Sequence, residues 1–174
     1  MSRVWRVADA YSAGSGKITR NIVPVHPVLA RMDFFDLLVR YETELWNHLE
    51  DRLREGGAAS LSTLSALRVV DQHDRRARVQ DVRADLRITV GAASKLVDRL
   101  ERDGLATRRP HPDDRRSSLV DLTPAGRDAL ATGTAVLDEA MREHLADEPA
   151  DALAAATEVL ARLDARLLTS AVTA

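Results

Sequence analysis

A mainly α-helical fold carrying one small β-hairpin is what this sequence predicts, and three observations predict it. The 174-residue chain is rich in Ala, Leu, Arg and Asp and only 3% aromatic, a balance that suits helices packed on a leucine and valine core. Apolar residues recur at three- and four-residue spacing along most of its length. A clear exception is Leu105 to Gly126, LATRRPHPDDRRSSLVDLTPAG, where two short β-prone arms flank a tip of Pro and Asp. The size implies one domain or two closely joined lobes.

Taken in order, residues 1–26 show no period and hold Gly14, Ser15 and Gly16, so an extended or disordered arm is expected there. A helix follows from Val28 to about Arg54, with Leu38, Tyr41, Leu45, Leu49 and Leu53 near helical spacing, and Glu55-Gly56-Gly57 ends it. Ser60 or Ser62 caps the next helix, which carries Leu64, Leu67 and Val70. Val79, Val82 and Leu86 then form a short apolar stripe, and Arg87-Ile88-Thr89 makes a turn. A longer helix runs from Val90 to about Asp103 with Ala93, Leu96, Val97 and Leu100 on one face. This is helix-turn-helix spacing. Ser94, Lys95, Asp98, Arg99 and Arg102 occupy the opposite face, and Gly104 stands where a left-handed cap belongs.

The hairpin comes next. His111-Pro112-Asp113-Asp114 favours a turn, and Ser118-Leu119-Val120-Asp121-Leu122 alternates as a half-buried strand does. Arg108, Arg109, Arg115 and Arg116 are expected to point into solvent. Thr123-Pro124 opens another helix, with a hydroxyl at the N-cap and proline at the first position. Pro149 starts the last helix, whose Leu153, Ala156, Leu160, Leu163 and Leu167 make a seam suited to packing between subunits.

Charge is close to balanced overall, at −2, but it is unevenly placed. Residues 75–127 carry 13 basic and 8 acidic side chains, a local excess of +5 between flanks of −4 (28–74) and −6 (128–174). A basic middle in an acidic body is the footprint of a polyanion-binding surface. The chain has no cysteine, which removes disulfides and thiolate metal sites. No apolar run approaches bilayer length and the N-terminus lacks an export core, so a cytoplasmic protein that meets no membrane is expected. Catalysis finds no support. There is no phosphate loop, His-Glu-x-x-His or nucleophile elbow, and Asp113-Asp114 sits among arginines at a turn. The reading is a non-enzyme without cofactor.

Three linked motifs carry a family resemblance: Ser94-Lys95-Leu96-Val97-Asp98-Arg99-Leu100-Glu101-Arg102-Asp103-Gly104-Leu105, then Asp113-Asp114-Arg115-Arg116, then Leu122-Thr123-Pro124-Ala125-Gly126. In that order and spacing they resemble the MarR family of transcription regulators. The resemblance implies a winged helix-turn-helix with a β-hairpin wing, and N- and C-terminal helices forming a dimerisation lobe. It divides the chain into an arm (1–26), a dimerisation helix (27–58), a DNA-binding lobe (59–123) and C-terminal dimerisation helices (124–174).

It further implies a homodimer that binds a pseudo-palindromic operator in double-stranded DNA, usually as a repressor. Thr89, Ser94, Lys95 and Arg99 would lie at the major groove. Asp114 and Arg116 match the family's minor-groove element, with Arg108, Arg109 and Arg115 at phosphates. Val82-Arg83, where Leu-Ala is frequent, and Arg87, in a turn that usually holds a small or neutral residue, depart from the family pattern and add charge near the phosphates. A winged-helix protein–protein adaptor is the alternative from another class.

The resemblance also implies a small aromatic or phenolic effector, for which Trp46, His48, Leu67 and His73 are candidate contacts, although core packing suits Trp46 as well. His48, His73 and His144 sit on three expected helices, but without ligand spacing they read as ordinary histidines, with no metal.

Overall fold

The computed structural model describes residues 27–73, 76–112 and 117–172. Among them are six helices and one antiparallel hairpin: α1 (Pro27–Glu55), α2 (Leu61–Gln72), α3 (Val79–Asp85), α4 (Val90–Arg102), β1 (Ala106–Pro110), β2 (Ser118–Leu122), α5 (Pro124–His144) and α6 (Ala150–Val172). The expected N-terminal arm lies outside the described residues. Two compact units divide the chain at Glu42 and Thr43. Of the first, the described part is the N-terminal half of α1. There Phe34, Phe35, Leu37 and Val39 are all exposed.

The second unit holds the core. Leu64, Leu67 and Val70 of α2, Val82 of α3, and Ala93, Val97 and Leu100 of α4 pack with Ala106 of β1 and Val120 and Leu122 of β2. Leu53, near the end of α1, closes the cluster and is almost wholly buried. These are the apolar positions of the helical and alternating patterns, so removal of their surface from water is what assembles the lobe.

Helices α2 to α5 each begin on a local signal. Ser60 caps α2, accepting a hydrogen bond from the Thr63 amide, while Glu50 of α1 accepts one from the Leu61 amide. Thr89 caps α4 by accepting from Ala92 N–H at 3.2 Å. Asp81 reaches back to the Arg78 amide at the start of α3. Gly57 and Gly104 take positive φ, 64° and 71°, just past the ends of α1 and α4.

Thr123 does three jobs where the hairpin enters α5. Its hydroxyl accepts from the Gly126 amide and donates to the Gly104 carbonyl at 2.7 Å, and its own N–H bonds the Leu105 carbonyl. Gly126 lies so close to that carbonyl that a Cβ would collide with it.

In the hairpin, Ala106 pairs with Leu122, Arg108 with Val120 and Pro110 with Ser118. Val120 also donates to the Ala77 carbonyl at 2.7 Å, an isolated bridge from the segment before α3 that side-chain periodicity does not reveal. No described helix is long and apolar enough to cross a membrane.

Candidate nucleic-acid interface

The face of α4 opposite the core is built by helical spacing. Ala93, Val97 and Leu100 face inward, fully buried, which turns Lys95, Asp98, Arg99, Glu101 and Arg102 outward. Thr89 is exposed at the start of the helix and Ser94 is half-buried along it. This leaves the expected helix residues Thr89, Ser94, Lys95 and Arg99 in one neighbourhood of one short helix.

The wing arginines divide. Arg109 is exposed, its guanidinium 3.7 Å from the Asp121 carboxylate. Arg108 is not in open solvent, contrary to the expectation that the hairpin arginines all point outward. Its Nη2 donates to Asp98 at 2.6 Å and its Nη1 to Glu101 at 2.7 Å, both on α4, and its side chain keeps 25% exposure. The cause is the two-residue period of a strand: Arg108 shares a face with buried Ala106, and that face meets α4. Burial works against the Arg108 charge, but the hydrogen bonds it donates to Asp98 and Glu101 outweigh it and lift the guanidinium above its ordinary range. Asp114, Arg115 and Arg116 lie outside the described residues.

The Arg108 pairs change the meaning of the helix face. Asp98 and Glu101 would otherwise be partners for their neighbours on α4. With both engaged, Lys95, Arg99 and Arg102 have no ion-pair partner among the described residues. Among the described residues, then, Lys95, Arg99 and Arg102 stand unpaired on the outer face of a helix whose other side is core.

Two further contacts tie this surface to its surroundings. The Arg78 guanidinium touches the His111 ring, joining the start of α3 to the far end of β1. In the turn between α3 and α4, Arg87 has φ 52° and donates to both carboxylate oxygens of Asp164 on α6, at 3.0 and 3.2 Å. The pair raises the Arg87 pKa and lowers that of Asp164. Sequence reasoning had no signal for either contact, because the partners lie 33 and 77 residues apart.

Three of the four expected effector residues are engaged elsewhere, while Trp46 is exposed and not packed in the core. Leu67 is fully buried in the core, and Trp46 is 45% exposed on α1. The His48 ring lies 5.8 Å from that of His144, while His73 bonds Asp85 across the α2–α3 connection. A separate open cleft is lined by Arg68, Val69, Gln72, Asp85, Arg87 and Leu168. No group of three or more metal-ligating side chains gathers among the described residues.

Comparison with known proteins agrees with this architecture. Residues 60–117 match a model of the MarR family. An uncharacterized HTH-type transcriptional regulator of Bacillus subtilis, YdgJ, is 31% identical over 83 residues. That match takes in 48% of this chain and 51% of YdgJ, so the chain spans about half the length of this relative.

Among solved structures, a mutant MarR from E. coli complexed with operator DNA superposes with a TM-score of 0.71 at 18% identity, over 80% of this chain and 99% of that one. CouR from Rhodococcus jostii RHA1, bound to p-coumaroyl-CoA, gives 0.65 at 24% identity, over 74% and 89%. At these identities the two structures speak for the fold alone.

Proposed function

We propose that this chain, whose residues 60–117 match a model of the MarR family, is a sequence-specific DNA-binding transcriptional regulator. The observation that carries the reading is the outer face of α4, where Lys95, Arg99 and Arg102 have no ion-pair partner among the described residues and stand beside the arginine-bearing hairpin. Phosphate contacts from such side chains supply affinity and register, and groups on the inserted helix read base edges. In this reading α4 enters the major groove, with Thr89, Ser94, Lys95 and Arg99 at bases and phosphates. The hairpin serves as the wing, with Asp114 and Arg116 at the minor groove and Arg109 and Arg115 at the backbone.

The functional unit is a homodimer. The exposed apolar residues of α6, Val159, Leu160, Leu163 and Leu167, support it, since a stripe of that size is covered in a stable soluble protein. Two-fold symmetry then calls for a pseudo-palindromic operator with half-sites about 10 bp apart. Repression is the expected mode, relieved by a small effector that prefers a dimer with mis-spaced recognition helices. The same fold is seen with operator DNA in MarR and with p-coumaroyl-CoA in CouR, and the reading extends those two kinds of partner to this chain.

Fluorescence anisotropy on duplex DNA across a salt series tests the reading. Affinity should fall steeply with salt, the slope of log K against log salt being about −0.9 for each phosphate contacted. A flat slope would sink the DNA assignment and leave a winged-helix adaptor that binds protein.

A further inference from the structure

The same surface holds a residue whose position argues for a different job from its neighbours. Of the two arginines on β1, Arg108 is the one on its inner face, opposite fully buried Val120. One terminal nitrogen of its fork meets Asp98 and the other Glu101, residues three apart on α4 and therefore on one side of it. Arginine suits this bridge, because its two terminal nitrogens are held apart in one rigid plane and each can meet a different carboxylate. The link has consequences for both elements. The hairpin is two short strands, which on their own have little stability, so a charged bridge to the adjacent helix helps set the angle at which the wing leaves it. Left unneutralised, Asp98 and Glu101 would also set two negative charges on a helix that approaches phosphates.

We propose that Arg108 is a positioning residue: by bridging Asp98 and Glu101 it fixes the wing against the recognition helix and masks two carboxylates from the DNA, and it holds no phosphate itself. This deepens the DNA-binding reading of the same surface and rests on it.

The test uses the full chain, a duplex selected by the wild-type protein from a randomised pool, and a random-sequence duplex. R108Q should weaken binding to the selected duplex about tenfold, with the salt slope unchanged. The triple variant R108Q/D98N/E101Q should recover most of the loss, because the unmasked carboxylates go with their partner. D98N/E101Q should release Arg108 towards the backbone, steepening the slope by about 0.9 and eroding the preference for the selected duplex.

A slope that falls by about 0.9 in R108Q would make Arg108 a phosphate contact and overturn the proposal. So would wild-type affinity in R108Q, or a triple variant no better than R108Q. Should R108Q fail to fold, D98N/E101Q decides alone: an unchanged slope and preference overturn the proposal. A double-mutant cycle on thermal unfolding, without DNA, separates this inference from the function it rests on. Coupling between R108Q and D98N/E101Q should persist even if the wild-type protein binds no duplex, and its absence means there is no brace.

Discussion

Arg87 takes a left-handed backbone, φ 52°, in the turn that delivers the chain into α4, a conformation that costs a side-chain-bearing residue roughly 1–2 kcal/mol relative to glycine. The amides of Arg87 and Ile88 bond the carbonyls of Ala84 and Arg83, so the turn requires that conformation whatever the side chain. Comparing R87G with R87A isolates the backbone cost, since both lack the Asp164 pair. We expect R87G to unfold roughly 2–8 °C above R87A; equal midpoints would mean that the turn relaxes.

Thr123 is the complementary case, a residue whose role was legible beforehand. Ser/Thr-Pro at a helix start announces a cap, and the structure adds the hydroxyl bond to Gly104. Thr123→Ala should lose about 1–2 kcal/mol in urea unfolding, and Thr123→Ser should restore most of it. A loss well below this range would show that the bond to Gly104 contributes nothing.

At the scale of elements, the six helices and the hairpin follow the periodicities closely. The helix expected from Val28 to Arg54 is found as Pro27–Glu55, and the return arm Ser118–Leu122 is β2. Local pattern suffices because each element turns one apolar face to a common core. How elements approach one another was not legible. Gly133 faces the Leu64 methyl groups where α5 crosses α2, so close that a Cβ would overlap them. Gly133→Ala should therefore destabilise the lobe by roughly 1–3 kcal/mol, although alanine is the better helix former. A stabilised variant would mean that Leu64 moves aside readily.

The candidate interface shows the same division. The helix-face residues follow from spacing alone, whereas the inward turn of Arg108 depends on which face of β1 meets α4. For the wing tip, Arg116→Ala should weaken specific binding with the unfolding midpoint unchanged. Wild-type affinity would remove Arg116 from the interface.

At the scale of the whole molecule, charge and apolar surface point in different directions. Arg52 hydrogen-bonds Glu143 and, with the attraction of opposite charge, holds its carboxyl below the usual range, and Arg87 does the same for Asp164. A carboxylate whose pKa is lowered by folding adds stability above its unfolded pKa and loses it as pH falls through the folded one. The wild-type protein should therefore lose stability below about pH 4 more steeply than E143Q/D164N, and the two curves should converge in stronger acid. Both pairs are exposed, so added salt should shrink the difference. Parallel curves would show that the pairs contribute nothing.

The apolar seam of α6 belongs to this scale too. Leu163→Asp should shift the protein towards a monomer in sedimentation and weaken operator binding, and an unchanged assembly would exclude this stripe as the dimer contact.

By itself the sequence determined the elements, the caps at Ser60, Gly104 and Thr123, the core residues and the basic middle of the chain, because those depend on spacing and neighbours within a turn or two. The tertiary structure decided which charges are spent inside the molecule. Arg108 on Asp98 and Glu101, Arg87 on Asp164 and Arg78 against His111 are pairings that arise only when distant segments pack. Periodicity reports which side of an element is apolar; only packing reports what stands across from the other side.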